Sequence, residues 1–108
     1  MQGLQSHLDE IRRADAEVLA ISVDPVTINR KLAADLGLAY DLLSDTKLTV
    51  IDAYGVRHRG AGIDGQDIAR PATFIIDRHG VISWRSLTNN WRIRVRPERI
   101  LDELAKIP

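Results

Sequence analysis

The stretch "ARPATFIIDRHG", Ala69 to Gly80, decides the fold of this 108-residue chain. Within it, "ATFIID" is a run of apolar and β-branched residues, which is typical of a strand. The "RHG" that follows ends in a glycine, and the "VISWRSL" beyond it is a second run of the same kind. The sequence therefore predicts a β-hairpin whose turn closes at Gly80.

The first third of the chain predicts two amphipathic helices around one strand. Apolar residues recur at helical spacing in both helices. They are Leu4, Leu8 and Ile11 in the first helix and Ile28, Leu32 and Leu36 in the second. Between the helices, "EVLAISVD" is an almost continuous apolar run that indicates a strand buried on both faces, ending at the turn signal Asp24-Pro25. Gly37, which has no Cβ, is the predicted left-handed cap of the second helix.

The middle and the end of the chain complete the pattern. "LLSD" is a short apolar segment. Asp45 is the predicted N-cap of the helix "TKLTVIDAY", which stops at Gly55. Residues 56–69 are rich in Gly, Arg and Asp and indicate a surface loop. After the hairpin, "TNNWRIRV" is irregular or weakly extended, and Pro97 then opens a terminal helix. Its apolar stripe is Ile100, Leu101, Leu104 and Ile107. The order α-β-α-(β)-α-β-β-α predicts one α/β domain over residues 1–108, with a mixed sheet and flanking helices.

Composition and charge limit the partners and the cellular location that we expect. The chain is 44% hydrophobic and 28% charged with zero net charge, so its overall charge favours neither nucleic acid nor membrane as a partner. No apolar run approaches the roughly 20 residues that span a bilayer, and the start lacks the pattern of a secretory signal. We therefore expect a cytoplasmic protein. Residues 1–54 carry five basic and nine acidic side chains (−4), and residues 55–108 carry ten and six (+4).

Most sites of known chemistry are missing from the sequence. The chain has no cysteine, which excludes disulfides, thiolate metal sites and a cysteine nucleophile of its own. Three isolated histidines, His7, His58 and His79, show no metal-ligand spacing, so neither a metal nor another cofactor is predicted. No serine lies in a Gly-x-Ser-x-Gly elbow. "GAGIDGQD" follows no strand directly and opens no helix, and we interpret it as a flexible loop.

The stretch "WRSLTNNWRIRVRPER" allows a nucleic-acid interpretation. Five arginines (Arg85, Arg92, Arg94, Arg96 and Arg99) are interleaved with Trp84 and Trp91, which combines charge with stacking as single-strand binders do. The alternation of arginines with Ile93 and Val95 is equally typical of a segment with one solvated face. We favour the second interpretation, so nucleic acid is not an expected partner.

Three segments taken in order resemble a known family. They are "VLAISVDPVTINRKLAADLGLAYDLLSDTKLTVIDAYGV", "ARPATFIIDRHGVISW" and "RPERILDEL". Their order and spacing resemble the alkyl hydroperoxide reductase / thiol-specific antioxidant group, the peroxiredoxin and redoxin branch of the thioredoxin-like fold. The resemblance runs from about Leu4 to the end. It implies a thioredoxin-like sandwich and, for the family, reduction of hydroperoxides by a cysteine that thioredoxin-like partners re-reduce.

The chain departs from that family at its start. Family members carry a core strand and a Pro-x-x-x-Thr/Ser-x-x-Cys or Cys-x-x-Cys loop before the first helix seen here, whereas Gln2 and Gly3 stand near the thiol position. The resemblance thus implies a truncated fold that lacks the first core strand and the cysteine loop. It also implies that Arg70, Pro71, Ala72 and Thr73 are what is left of the active-site region. Pro71 matches the proline beside the thiol and is expected in the cis form; the arginine that peroxiredoxins usually have there is matched only by Arg70, one residue earlier.

A missing central strand has a structural consequence. It predicts two open strand edges, Val18–Val23 and Thr73–Asp77, which either pair with each other or are covered by another chain. It also predicts lost cover over Leu4, Leu8, Ile11 and Trp84. From these expectations we predict a homodimer.

Three hypotheses for function follow. The first is a catalytically inactive family member or fragment that acts as an oligomeric or interaction module. The second is half of a split thiol peroxidase, completed by a cysteine-bearing segment or a thioredoxin-like partner. The third is nucleic-acid or anion binding through the segment from Trp84 to Arg99.

Overall fold

A computed structural model describes residues 2–88 and 95–107, apart from the side chain of Gln2. In chain order, its elements are α1 (Gln2–Ser6), α2 (Leu8–Arg13), β1 (Leu19–Ser22), α3 (Val26–Leu36), β2 (Asp41–Ser44), α4 (Thr49–Ala53), β3 (Arg57–His58), β4 (Ile68–Ala69), β5 (Ala72–Ile76), β6 (Ile82–Leu87) and α5 (Pro97–Leu104). They belong to two compact units. Residues 1–17 and 71–108 form the hairpin unit, and residues 18–70 form the parallel-strand unit.

The hairpin unit contains the predicted β-hairpin. Strands β5 and β6 pair antiparallel, with Thr73 opposite Ser86 and Ile75 opposite Trp84. In the turn, Gly80 has φ +80°, which a glycine adopts without a Cβ penalty. The Asp77 carboxylate accepts hydrogen bonds from the backbone N–H of His79 (2.9 Å) and of Val81 (3.0 Å). These bonds to the charged form, that of Val81 above all, lower the pKa of Asp77. The hairpin and its closing glycine are confirmed.

The core of the hairpin unit lies around α2. Leu8 and Ile11 are three residues apart on one helix face, and each is 2% exposed; Ile75 and Ile100 are buried as well. The first predicted helix is interrupted at His7, which separates α1 from α2. The predicted loss of packing does not occur at Leu8 and Ile11, which are buried. Leu4 and Trp84 are half-buried.

The parallel-strand unit is built from β1, α3 and β2. The two strands pair parallel, with Leu19 opposite Asp41 and Ser22 opposite Ser44. A parallel pair needs a crossover connection, and α3 supplies it. Gly37 ends α3 in the left-handed conformation (φ +64°), which confirms the predicted cap. The residue of α3 that is fully buried is polar: Asn29 is 1% exposed.

Two expectations about the middle of the chain need correction. The helix after β2 begins at Thr49 rather than directly after Asp45; the Asp45 carboxylate instead accepts a hydrogen bond from the backbone N–H of Ile51 (2.8 Å). The predicted loop 56–69 contains two short antiparallel strands, β3 and β4. Strands of two residues carry too few side chains to show a period of two, so pattern analysis missed them.

The strands of the described residues form three two-stranded pairs, one parallel and two antiparallel. Both kinds of pairing occur, as predicted for a mixed sheet, but each sheet has two strands only. The strand partner of β1 is β2 and that of β5 is β6. Within the described ranges, no helix is long and apolar enough to cross a membrane.

Candidate functional site

The segment Arg70 to Thr73 leads from β4 into β5. The backbone N–H of Arg70 donates to the carbonyl of Val56 (2.8 Å), and the carbonyl of Pro71 accepts from the N–H of Thr88 (3.1 Å). The peptide bond before Pro71 is trans, so the expected cis form is wrong. An X-Pro bond prefers trans by about 0.5–1 kcal/mol, and cis is adopted where packing outweighs that preference.

The side chain of Arg70 carries an unusual feature. Its Nε atom is buried and has no hydrogen-bond partner among the described residues. A buried donor without a partner costs about 1–3 kcal/mol, and more when it is charged. The rest of the residue is partly exposed. Arg70 therefore holds one N–H whose hydrogen-bonding capacity is unused.

Thr73 lies at a cavity of about 340 Å³ within the hairpin unit. The residues that line it are Gly3, Leu4, Thr73, Val95, Arg96, Pro97 and Ile100. The structure thus brings two predicted positions together: Gly3, near the family's thiol position, and Thr73 of the expected active-site region. Arg96 and Pro97 were not predicted to join them, because no local pattern links residues more than twenty positions apart.

His7 contacts Gly3 of the cavity wall and is not isolated, contrary to the sequence-based interpretation. Its Nδ1 atom is 3.0 Å from Ser6 Oγ and 3.0 Å from the carbonyl oxygen of Gly3. Its Nε2 atom is 3.5 Å from a carboxylate oxygen of Glu98. The Ser6 hydroxyl donates to the Gly3 carbonyl (2.9 Å). Because His7 contacts both Gly3 of α1 and Glu98 of α5, this group of side chains connects the two helices. No cluster of three or more potential metal ligands occurs in the described part of the chain.

An ion-pair clamp, formed by Asp52, Arg57 and Asp67, closes the base of the β3–β4 loop. The Arg57 guanidinium donates two hydrogen bonds to Asp52 (2.7 and 2.6 Å) and one to Asp67 (2.6 Å). The hydrogen bonds that Arg57 donates lower the pKa of both carboxyls and raise the pKa of Arg57 itself. Asp67 also accepts from the N–H of Gly60 (2.9 Å). The clamp holds the loop, and Arg57 engages both of its carboxylates.

The proposed nucleic-acid segment is only partly described. Trp91, Arg92 and Arg94 lie in residues 89–94, outside the described ranges. Of the others, the Arg99 guanidinium stands 5.7 Å from the ring centroid of Trp84 and pairs with Glu103 (3.1 Å). Trp84 and Arg99 are therefore engaged within the protein.

Comparisons with known proteins agree on one family. The family model of the AhpC/TSA family matches residues 1–85. The alkyl hydroperoxide reductase E proteins of Mycobacterium tuberculosis and Mycobacterium bovis are 36% identical over 96 residues, which are 87% of this chain and 60% of those proteins. The chain thus spans about 60% of the length of these curated relatives.

Solved structures extend the comparison to the fold. AhpC of Mycobacterium tuberculosis superposes with a TM-score of 0.80 at 28% identity, covering 96% of this chain and 57% of that one. Reduced Prx3 of Vibrio vulnificus in complex with hydrogen peroxide superposes with a TM-score of 0.84, covering 96% and 65%. At 20% identity the second similarity shows the fold alone. The predicted thioredoxin-like α/β class is confirmed.

Proposed function

Because this chain belongs to the AhpC/TSA family, we propose that it is a cysteine-less member that does not reduce hydroperoxides alone and acts as a self-associating interaction module in the cytoplasm. The observation that carries the proposal is the absence of cysteine from all 108 residues. Reduction of a hydroperoxide transfers an oxygen atom to a nucleophile, and thiolate sulfur is the protein nucleophile suited to a reversible transfer.

The residues at the cavity do not replace the thiol. Gly3 has no side chain, Thr73 has an alcohol that peroxide does not oxidise reversibly, and Arg96 is a cation with no electron pair to give. Arg96 and Thr73 are suited to hold a polar group in place. The proposal therefore assigns this region to binding rather than to turnover.

Exposed apolar surface supports the interaction role. The burial of β1 and β2 alternates, and their outward positions include Leu19 (61% exposed), Ile21 and Leu43. Ile21 lies opposite Leu43, so two of these side chains are cross-strand neighbours. Parallel strands are normally covered on both faces. An apolar outward face on such a pair favours a further protein layer, and we propose that a second copy of the chain supplies it by forming a homodimer.

A peroxide-consumption assay tests the inactivity. The purified chain, incubated with hydrogen peroxide or an organic hydroperoxide and either dithiothreitol or a thioredoxin system, should match the buffer blank. A full-length alkyl hydroperoxide reductase E is the positive control. Gly3→Cys should also stay at the blank, because the cysteine loop of the family is more than one residue. Saturable turnover by the unmodified, metal-free chain would contradict the proposal.

A split thiol peroxidase is the second candidate, and two observations favour it. The Nε–H of Arg70 has no hydrogen-bond acceptor among the described residues. The cavity lined by Gly3 and Thr73 has a volume of about 340 Å³. A cysteine segment from a partner would fill the cavity, and an acceptor group of a partner would satisfy the Arg70 N–H. The test adds a peptide that covers the part of alkyl hydroperoxide reductase E that this chain does not match. Peroxide consumption by the mixture, but by neither component alone, supports this candidate; a blank-level mixture rejects it.

A further inference from the structure

The loop between β3 and β4 presents one apolar side chain to solvent. We call residues 59–67 the tip loop. Ile63, near its middle, is 101% exposed, which is the highest exposure among the large hydrophobic residues described. A single exposed hydrophobic residue needs no explanation in general. The case differs here because the structure holds the loop in a defined shape.

Hydrogen bonds within the tip loop fix that shape. Gly62 N–H donates to the Gln66 carbonyl (2.9 Å), and Gly65 N–H donates to the Gly62 carbonyl (2.9 Å). The N–H of Asp64 donates to the side-chain oxygen of Gln66 (2.9 Å). The clamp of Asp52, Arg57 and Asp67 closes the base of the loop. The loop thus has a hydrogen-bonded shape, and a loop that binds in a preformed shape loses less conformational entropy.

The cavity of the hairpin unit is complementary to such a side chain. Its wall is mostly apolar, from Leu4, Val95, Pro97 and Ile100. Its volume is about 340 Å³, and an apolar cavity of about 150 Å³ already admits benzene. The volume is therefore sufficient for an isoleucine side chain.

The charges of the tip loop and of the cavity rim are also complementary. Asp64 directly follows Ile63 and is exposed, and Arg96 is the charged residue at the cavity and is also exposed. Neither forms an ion pair with another residue in the described ranges. A loop that enters the cavity with Ile63 brings an acidic side chain to a basic rim.

We infer that the tip loop of one copy docks into the cavity of a second copy, with Ile63 inside the cavity and Asp64 paired with Arg96. Every copy carries both elements, so the same contact joins any two copies. The inference rests on the self-association proposed above and adds a second contact to the covered β1–β2 face.

Sedimentation equilibrium over a micromolar range, with charge-reversed variants, tests the contact. Asp64→Arg alone and Arg96→Asp alone should each raise the dimer dissociation constant at least about tenfold, because like charges then meet at the contact. The double variant should return to within about threefold of the wild type, since the pair is restored with reversed polarity. Ile63→Ser should weaken the dimer, whereas Val81→Ser, at an exposed apolar position of the hairpin turn, should not.

The possible results distinguish the tip-loop contact from self-association in general. A dimer that persists unchanged in Asp64→Arg, Arg96→Asp and Ile63→Ser overturns the tip-loop contact and leaves self-association standing. Weakening in both charge variants without recovery in the double variant overturns the Asp64–Arg96 pairing. A wild type that is monomeric over the whole range overturns both ideas. All these positions are solvent-exposed, and circular dichroism of each variant checks that the fold is kept.

Discussion

Asn29 is expected to hold the parallel-strand unit together, and its replacement by alanine tests this. The side chain reaches both strands from α3. Its amide oxygen accepts from the Ser22 hydroxyl (2.9 Å), and its amide nitrogen donates to Ser44 Oγ (2.9 Å) and to the carbonyls of Leu43 and Asp24 (3.3 Å each). Ser22 and Ser44 are register partners in the parallel pair. One amide therefore connects a helix with the ends of two strands.

The magnitude follows from these contacts. The amide has two N–H groups for three acceptors, so the contacts amount to three full hydrogen bonds. At a net ~1 kcal/mol each, they give an upper value of about 3 kcal/mol for Asn29→Ala. Ser22 and Ser44 are half-buried and Asp24 is exposed, so some freed groups regain water. We therefore expect a loss of about 2–3 kcal/mol in the free energy of unfolding. Since 1 kcal/mol lowers the Tm of a domain of this size by about 4–8 °C, Tm should fall by at least about 8 °C.

Urea unfolding, followed by circular dichroism, measures the effect, and two variants serve as comparisons. Asn29→Asp keeps the size of the side chain but loses the amide N–H donors, so it should lose nearly as much stability as Asn29→Ala at neutral pH. Arg30→Ala changes an exposed neighbour on the same helix and should stay within about 0.5 kcal/mol of the wild type. If Asn29→Ala and Asn29→Asp are as stable as Arg30→Ala, the hydrogen bonds of Asn29 do not stabilise the unit and the reasoning is refuted.

Three further predictions concern the clamp, the hairpin turn and the nucleic-acid hypothesis. The pKa values of Asp52 and Asp67 are lowered in the folded protein. The clamp therefore stabilises the fold fully above the ordinary aspartate pKa, and this stabilisation is lost as pH falls through the lowered values. Thermal unfolding from neutral to acidic pH should therefore show Arg57→Gln less stable than the wild type at pH 7, with the difference shrinking on acidification; a pH-independent difference contradicts this. Gly80→Ala puts a Cβ at φ +80° and should cost roughly 1 kcal/mol, measured by urea unfolding, whereas Ala61→Gly in the tip loop should change stability less. Tryptophan fluorescence should not respond to single-stranded oligonucleotides at moderate salt; micromolar, salt-sensitive binding that Trp91→Ala abolishes would establish the nucleic-acid hypothesis instead.

Local patterns predicted much of the fold because they report local physics. The β-branched run before Asp77 and the glycine at position 80 specify a hairpin whatever surrounds them. Gly37 is a cap because its backbone enters the left-handed region, which depends on the residue itself. The interruption at His7 was missed, since the apolar spacing of Leu4, Leu8 and Ile11 continues through it. Periodicity marks which face is buried and does not mark where the backbone turns.

The sequence by itself determined the family, the pattern of helices and strands, and the absence of a thiol, because each depends on residue types and their order along the chain. Tertiary structure alone decided that Gly3, Thr73 and Arg96 share a cavity, that Asn29 connects two strands, and that a glycine-rich loop is closed by Arg57. These features arise from contacts between residues far apart in the sequence. Periodicity and spacing describe neighbours along the chain, and which distant side chains meet is settled only when the elements pack.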